Sequence, residues 1–261
     1  MPVIIVNTAA EDIRWLGAEA FVGLQNFADV WKVRTPGQLS DTEDLLNWLQ
    51  EDERKRYNGF HREEDKLRFL VSHSAVRIIL GKYLIQAPEK IQFGEGARKK
   101  PVLIANEGRL VEFNLSHAGE MSLIAVSGYE VGIDVEEKNR KFAYKEIMEA
   151  SFSQAEQSCV SASEDPTGNF FLLWTRKEAL LKASGQGLVD NLISVPSLNG
   201  KHAIGEELSG SANSWTVRSF EIEMSYVASV ACNSNVQHLR FFQIDLNQAI
   251  AELKVTADKK I

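Results

Sequence analysis

Apolar and polar residues alternate in some short segments of this chain, whereas in others the apolar residues recur every three or four positions. Alternation is typical of a half-buried strand, and the longer spacing is typical of an amphipathic helix. The first clear pattern predicts a strand over residues 30–34, a turn at Pro36 and Gly37, and then a helix. Ser40 and Glu43 have the spacing of a capping box and predict where this helix begins.

A longer amphipathic helix is predicted after a break at Asn58 and Gly59. The apolar residues predicted to face the core are Leu67, Leu70, Val71, Ala75 and Ile78. Basic residues cluster near its beginning, at Arg54, Lys55, Arg56, Arg62 and Arg68.

The pattern between residues 99 and 136 changes to alternation, in three segments that read LVEFNLSH, MSLIAVS and EVGIDVE. The connections at residues 118–120 and 128–129 are short, so we expect two successive hairpins. The elements predicted after them are helices at 143–150 and from Ser153, a polar loop at 161–168, a helix at 169–183 ending at Gly185 and Gly187, an antiparallel set of strands at 215–223, 226–232 and 238–246, and a helix at 248–254.

Helices followed by antiparallel strands therefore occur twice, which predicts an α+β fold with two halves of similar content. We place the division near Gly128, with halves at residues 1–127 and 128–261. No sequence repeat relates the halves, and residues 1–27 are predicted to extend the first one.

Composition is that of an ordinary globular protein, with 261 residues, 44% apolar content and 25% charged content. The net charge of −7 argues against a nucleic-acid-binding protein. Cys159 and Cys232 lie far apart and outside any CxxC pattern, which favours a reducing, cytoplasmic setting. With no basic leader pattern and no run of 18 apolar residues, neither secretion nor membrane spanning is expected.

Candidate chemistry begins with Asp134 and Glu136, which alternation places on one side of a strand. Trp174, Glu178 and Lys182 are spaced four residues apart and share one face of a helix. Carboxylate oxygens from a strand and a helix, with a lysine one turn further on, match a Mg²⁺ site that handles phosphate. The alternative is structural: Glu178 and Lys182 could form an ordinary surface ion pair, Asp134 and Glu136 could face water, and Trp174 could pack in the core.

For other polar residues, too, both a functional and a structural interpretation are open. Ser116 and His117 end a strand and could bind phosphate oxygens, although a single histidine is more often structural. Glu156 could act as a general base, but with Ser153 it also forms a capping box. The arginines Arg54, Arg56 and Arg68 could clamp a phosphate monoester or remain solvated, and Lys100 before Pro101 is similarly ambiguous.

Taken in order, the motifs NLSH, GIDVE, FSQAE and WTRKEALLKASGQGL resemble those of the 4'-phosphopantetheinyl transferases of the long, monomeric Sfp type. Asp134 and Glu178 lie 44 positions apart, close to the spacing in that family. Upstream, the basic segment from Glu53 to Leu70 and the RKKPVL segment are also similar to family elements. The resemblance covers residues 28–187 by motif and extends plausibly to Cys232.

This resemblance implies two similar α+β halves related by a pseudo-two-fold, with the active site between them. It implies that the chain transfers the phosphopantetheine arm of coenzyme A to a serine of an apo acyl or peptidyl carrier protein and releases 3',5'-ADP. The implied roles are Mg²⁺ binding by Asp134, Glu136 and Glu178; proton acceptance by Glu156; charge neutralisation by Lys182; contacts to CoA phosphates by Ser116 and His117; an adenine pocket at Lys100 and Pro101; and 3'-phosphate contacts by Arg56 and Arg68.

The chain departs from the family pattern at two places. Glu53 stands where the family's basic segment has a lysine, and residues 1–27 have no recognised counterpart. Two alternative functions remain open: a non-catalytic relative that binds CoA or a carrier, and a Mg²⁺-dependent phosphohydrolase. The complete set Asp134, Glu136, Glu178 and Lys182 argues against a pure binding module.

Overall fold

The computed structural model describes residues 2–8, 13–21, 24, 26–96, 98, 100–104, 110–186, 192–205, 208 and 214–258. The strands are β1 (Val3–Thr8), β2 (Leu16–Gly17), β3 (Phe27–Arg34), β4 (Phe93–Glu95), β5 (Pro101–Leu103), β6 (Glu112–Ala118), β7 (Met121–Ser127), β8 (Val131–Glu137), β9 (Gly200–Ala203), β10 (Ser214–Ile222), β11 (Tyr226–Asn233) and β12 (His238–Ile244). The helices are α1 (Thr42–Trp48), α2 (Glu51–Gly59), α3 (Glu63–Leu84), α4 (Lys145–Ser151), α5 (Gln154–Ser161), α6 (Pro166–Ser184) and α7 (Leu246–Asp258).

The strands form two five-stranded sheets and a small β4–β5 pair. The first sheet has the order β2-β12-β3-β7-β6, and α3 packs on its outer face against alternate residues of β3 and β7 such as Trp31 and Ile124. The second sheet has the order β8-β11-β10-β1-β9, and α6 packs on its outer face. The predicted α+β class is therefore confirmed.

Alternation along the strands also explains the core shared by the two sheets. In β3, Trp31 and Val33 face α3, while Ala28 and Val30 point the other way, into a cluster that includes Ile133 of β8. Because successive strand side chains point to opposite faces, one strand contributes to two separate apolar clusters. The sheets therefore stand between α3 and α6 and share an apolar interior.

The predicted β6–β7 hairpin is confirmed, but the predicted β7–β8 hairpin is wrong. β8 pairs with β11 in the second sheet, and Gly128 and Tyr129 carry the chain from one sheet to the other. The C-terminal antiparallel set is also wrong in part, because β12 lies parallel to β3 in the first sheet. Local alternation predicts a strand but does not identify its partner.

Both terminal segments cross the division that we predicted at residue 128. β1 belongs to the second sheet, where it lies parallel to β10, and β12 with α7 joins the first sheet and its helices. The apolar side chains of β1 explain its position, since Ile4 and Val6 are buried in one cluster with Trp215. Residues near the N-terminus therefore complete the second sheet as well as extending the first.

The structure confirms some of the predicted helix ends and contradicts one of them. The capping box predicted at Ser40 is wrong: α1 begins at Thr42 after Asp41, and the Ser40 hydroxyl donates instead to Oδ1 of Asn247 at 2.9 Å. The capping box of Ser153 and Glu156 is confirmed at the start of α5. Gly185 ends α6 in the left-handed conformation, as predicted, whereas Gly187 lies outside the described residues.

Of the predicted inner face of α3, Leu70, Val71, Ala75 and Ile78 are buried, while Leu67 is half-buried at its edge. Within the described residues, no helix combines the length and apolar character that crossing a membrane requires.

Candidate active site

The site is built where β8 meets α6, and Gly132 allows these two elements to approach closely. A Cβ atom at residue 132 would overlap the backbone of Ala179 and lie 2.9 Å from Cα of Ala183. Since those atoms belong to a helix, they cannot move aside as a flexible side chain could. The glycine of the GIDVE motif therefore brings Asp134 and Glu136 next to the helix that carries Glu178 and Lys182.

Asp134 is at the centre of the site. Its Oδ1 atom accepts hydrogen bonds from Nζ of Lys182 at 2.6 Å and from Oγ of Ser116 at 2.9 Å, and Lys182 also donates to Ser116 at 3.0 Å. Three elements, β8, β6 and α6, thus meet at one carboxylate oxygen. The ion pair is open on one side, because the Lys182 side chain is 28% exposed and that of Asp134 only 6%.

Two further carboxylates lie beside Asp134. Burial and the neighbouring charge of Asp134 raise the pKa of Glu136 to about 7, although its carboxylate accepts a hydrogen bond from Trp174. Burial and Asp134 also raise the pKa of Glu178, and burial raises the pKa of Asp134 despite Lys182. Oδ2 of Asp134 and Oε1 of Glu178 are buried and have no hydrogen-bond partner. The group therefore has more negative oxygens than its single lysine satisfies.

These carboxylates are not arranged as a metal coordination shell. In the part of the chain that the structure describes, no three His, Cys, Asp or Glu side chains are grouped closely enough to hold a metal ion. Lys182 occupies one oxygen of Asp134, and repulsion among the carboxylates opposes closer approach. The structure brings the predicted ligands to one place but not into a coordination shell.

A cleft of about 720 Å³ opens from this group and extends to α2 and α3. The predicted site residues that line it are Arg56, Arg68, Pro101, Ser116, His117, Asp134, Glu136 and Lys182. Its apolar lining includes Phe69, Phe93 and Phe113. A cleft lined by aromatic rings and by several cations suits a ligand that carries a ring system and several phosphates.

Lys100 contacts the backbone of the helix that carries Lys182. Its ammonium donates to the backbone carbonyl of Lys182 at 2.9 Å, near the C-terminal end of α6. A cation is favourable there because the carbonyls at a helix end carry partial negative charge. Burial lowers the pKa of Lys100, with Glu112 and Glu130 opposing the shift. Lys100 thus fixes the turn that carries Lys182, while Pro101 lines the cleft.

The remaining predicted phosphate ligands differ in position. Burial, Arg68 and Lys182 lower the pKa of His117, which places this imidazole among cations in the cleft. The Arg56 guanidinium lies 5.5 Å from the ring centre of Phe69, and Arg68 donates to the Gly119 carbonyl and to Asp65.

Arg54 serves a different purpose from the other two arginines. Its guanidinium donates to the carbonyls of Asn47 and Leu49, and these bonds join the ends of α1 and α2. The residues that line the cleft in the described ranges do not include it.

Glu156 is buried away from the cleft lining. Its carboxylate accepts from the Ser153 amide at 2.8 Å, the Ser197 amide at 3.0 Å and the Ser197 hydroxyl at 2.5 Å, and it pairs with Lys177 at 3.0 Å. Burial opposes its ionisation, but these partners outweigh burial and lower its pKa. Proton transfer by Glu156 stays a prediction, and these contacts favour the structural reading.

Sequence reasoning missed three residues around the cleft. Asn114 accepts from the Ile133 amide at 2.9 Å and ties β6 to β8 across the two sheets. Glu53 and His73 line the cleft and join through a 2.6 Å contact between Oε1 and Nδ1. Glu53 and His73 are 20 positions apart, and this separation conceals the pair in the sequence, although Asn114 could have been noticed as the first residue of NLSH.

Comparison with known families covers most of the chain in two parts. A family model described as "4'-phosphopantetheinyl transferase superfamily" matches residues 130–231, and one described as "4'-phosphopantetheinyl transferase, N-terminal" matches residues 36–128. The two matches meet at the crossing between the sheets, and the first contains Asp134, Glu136 and Glu178.

Curated relatives agree with the family models. A putative 4'-phosphopantetheinyl transferase of Synechocystis is 35% identical over 56% of this chain and 61% of its own length. The 4'-phosphopantetheinyl transferase HetI of Nostoc is 33% identical over 63% of this chain and 71% of its own length. The 4'-phosphopantetheinyl transferase Sfp of Bacillus subtilis is 26% identical over 75% of this chain and 87% of its own length.

Proposed function

Because the chain belongs to the 4'-phosphopantetheinyl transferase superfamily, we propose that it transfers the phosphopantetheine arm of coenzyme A to a serine hydroxyl of an apo acyl or peptidyl carrier protein. The proposed reaction depends on Mg²⁺ and releases 3',5'-ADP. We place the enzyme in the cytoplasm as a monomer, which suits two cysteines that are both free thiols.

The observation that supports this proposal most is the meeting of Asp134, Ser116 and Lys182 in the lining of the cleft. An ammonium held by a buried carboxylate beside a hydroxyl can neutralise phosphate oxygens without first reorganising. Arg56 and Arg68 line the same cleft. One ligand that carries several phosphates could contact all of these groups.

The residues present fit a magnesium ion by their chemistry. Asp134, Glu136 and Glu178 offer hard carboxylate oxygens, and the unpartnered Oδ2 of Asp134 and Oε1 of Glu178 are the atoms that need a cation. Burial is the main cause of the raised pKa values of the three carboxyls, the charge of Asp134 adds to it at Glu136 and Glu178, and Lys182 only partly offsets these effects. When bound, Mg²⁺ would neutralise pyrophosphate oxygens and make 3',5'-ADP a better leaving group.

In the proposed reaction, the carrier serine oxygen forms a bond to the phosphorus next to the pantetheine, and the bond from that phosphorus to the ADP oxygen breaks. The serine proton leaves to a base or to water. Lys182 is held by Asp134 and Ser116, and it would stabilise the negative charge that grows on the departing phosphate. His117 would donate to phosphate oxygens and hold them in line with the serine, and Ser116 would do so by turning its hydroxyl proton from Asp134 to the ligand.

The test is mass spectrometry of a panel of apo carrier proteins incubated with the enzyme, CoA and Mg²⁺. We expect at least one carrier to gain the mass of one phosphopantetheine arm, and a chelator should prevent the gain. Liquid chromatography of the same samples should show 3',5'-ADP only when a carrier is present.

Two other outcomes would replace the proposal. Release of 3',5'-ADP without a carrier would indicate a phosphohydrolase that uses water in place of the serine. Tight binding of CoA with neither release nor transfer would indicate a binding module.

A further inference from the structure

Glu53 on α2 is buried and His73 on α3 is half-buried, and both line the cleft. His73 Nδ1 lies 2.6 Å from Oε1 of Glu53, and the His73 ring stacks on Phe69 with 3.9 Å between ring centres. Oε2 of Glu53 accepts from the Gln50 amide at 2.8 Å. Both residues are thus held in one orientation by contacts on more than one side.

Arg77 also holds Glu53 in position. It is fully buried and donates to both oxygens of Glu53, at 3.1 Å and 2.5 Å. Burial would raise the pKa of Glu53, but the hydrogen bonds from His73 and Arg77 lower it to about 2. Glu53 is therefore a carboxylate, and it orients His73 with Nδ1 directed inward and Nε2 directed outward.

The outer nitrogen of His73 is available to a ligand. Within the described ranges Nε2 has no protein partner, and the His73 side chain is 21% exposed where it lines the cleft. Arg56 lies over the same Phe69 ring on which His73 stacks, and Arg68 lines the same cleft. Asp65 pairs with Arg68, while Asp52 and Glu95 also line the cleft.

We propose that His73, oriented by Glu53, donates a hydrogen bond from Nε2 to the 3'-phosphate of coenzyme A and so helps the enzyme to select CoA over 3'-dephospho-CoA. This inference rests on the proposed function, because it takes CoA as the ligand of the cleft. Because Nδ1 faces a carboxylate, a hydrogen bond donated from Nε2 uses the imidazolium form, which carries a proton on both nitrogens. Glu53 is a positioning residue that acts through His73.

The arrangement favours the monoester rather than the pyrophosphate as the partner of His73. Asp134, Ser116 and Lys182 form one hydrogen-bonded group, which is suited to the pyrophosphate, where the transfer takes place. Arg56, Arg68 and His73 come from α2 and α3, and within the described residues these helices contribute none of the carboxylates proposed to bind Mg²⁺. The cationic groups of α2 and α3 are therefore left for the phosphate that does not react.

The experiment is a comparison of CoA and 3'-dephospho-CoA binding by calorimetry in the presence of Mg²⁺. For His73→Ala we expect CoA affinity to fall by about 10- to 100-fold, the usual range for a charge-assisted hydrogen bond. Affinity for 3'-dephospho-CoA should change by less than about two-fold, since that ligand has no group for His73 to contact. His73→Gln, which keeps a neutral donor, should recover part of the loss.

A matched control is His238→Ala. His238 is exposed and also lies beside a phenylalanine, Phe27, at 5.7 Å, but it is not among the described residues that line the cleft. This variant should bind both ligands as the wild type does.

Glu53→Gln tests the orienting role separately. It should reduce discrimination between the ligands, and combining it with His73→Ala should cause no further loss of discrimination. A role confined to the stability of the fold would instead make the two effects add.

Equal losses for both ligands in His73→Ala, or no loss for either, would overturn this inference and leave the proposed function standing if the wild type still modifies a carrier. Failure of the wild type to bind CoA at all would overturn both.

Discussion

Two clusters of the same composition lie against α6, and they differ in how completely their hydrogen bonds are satisfied. Each has a carboxylate, a lysine and a serine: Asp134, Lys182 and Ser116 in one, and Glu156, Lys177 and Ser197 in the other. Both contain a close ion pair, at 2.6 Å and 3.0 Å. From residue types and distances alone, the two clusters are nearly indistinguishable.

The difference lies in what remains unsatisfied. In the Glu156 cluster both carboxylate oxygens have partners, and Lys177 also donates to the carbonyls of Leu192 and Val195. In the Asp134 cluster one oxygen of Asp134 has no partner, and Lys182 is partly exposed in the cleft. A structural network completes its own hydrogen bonds, whereas a binding site leaves some for its ligand.

The pKa shifts follow the same division. Burial acts on both carboxylates, yet the pKa of Glu156 is lowered and that of Asp134 is raised. Partners outweigh burial in the first cluster, and burial outweighs Lys182 in the second. Perturbed carboxyls near a cleft are therefore informative about function only when their hydrogen bonds are also counted.

The largest effect should come from breaking the closed cluster. Lys177→Met removes a fully buried ammonium, so that Glu156 loses its ion-pair partner and the carbonyls of Leu192 and Val195 lose their donor. We expect the free energy of unfolding to fall by about 3–5 kcal/mol, the usual cost of breaking a buried pair. Urea denaturation would measure it. A loss below about 1 kcal/mol would mean that the cluster is not the structural anchor described above.

Breaking the open cluster should instead affect activity. For Lys182→Ala we expect the transfer rate to fall by about 10²- to 10³-fold, as for removal of one group that stabilises transition-state charge. Asp134→Ala should lose at least as much, because it removes both the anchor of Lys182 and a proposed metal ligand. Circular dichroism should show a folded protein in both cases. Transfer at the wild-type rate in either variant would contradict the roles assigned here.

The approach of β8 to α6 can be tested at Gly132. Gly132→Ala places a methyl group against the backbone of Ala179 and Ala183, and we expect a loss of about 1–3 kcal/mol in unfolding free energy. Gly37→Ala is a suitable control, since a Cβ at residue 37 meets no atom within 4 Å. Thermal unfolding of the two variants would separate crowding from a general effect of glycine replacement.

Glu156→Gln distinguishes a base from a structural residue. Its contacts predict a moderate loss of stability of about 1–3 kcal/mol, with the pH profile of carrier modification unchanged in shape. Disappearance of a kinetic pKa from the profile would instead identify Glu156 as the proton acceptor.

The clusters should also differ in how stability depends on pH. In chelator-treated protein, Glu136 has a pKa of about 7 against an ordinary value of 4.5, so the folded state holds its proton more tightly. This contribution to stability is present below 4.5 and is lost as pH rises through about 7. Glu156 has the opposite sign, because its lowered pKa contributes stability that is lost as pH falls below its ordinary value of 4.5.

Glu136→Gln should therefore make the decline in stability toward neutral pH shallower, and Mg²⁺ should have a similar effect on the wild type. Denaturation curves collected across this pH range would show it. Identical curves for the variant and the wild type would mean that ionisation of Glu136 does not contribute to the pH dependence of stability.

The sequence predicted the local structure well where the signal lies in neighbouring residues. Alternation located β6, β7 and β8, and the capping box located the start of α5. The same rule failed at Ser40, where the side chain bonds to Asn247 instead of the helix. Spacing also placed Asp134, Glu136, Glu178 and Lys182 on facing elements, and all four act on one another electrostatically.

Partners that are distant in sequence were not predictable in this way. The pairing of β12 with β3 and of β1 with β10 joins segments about 200 residues apart, and no local pattern specifies it. The contact between Glu53 and His73 likewise needs the packing of α2 on α3. Such contacts form because apolar faces exclude water together, and many registers would satisfy the same periodicity.

The sequence by itself determined which side chains share a strand or helix face, because the geometry of each element fixes the direction of every side chain. It also determined the family, through motifs whose order and spacing survive in the linear chain. Only the tertiary structure decided which of two similar carboxylate–lysine–serine clusters is open, since satisfaction of a hydrogen bond depends on atoms from distant segments. It likewise placed His73 at the cleft, because burial of Glu53 and Arg77 beneath it is a property of packed helices and not of any single one.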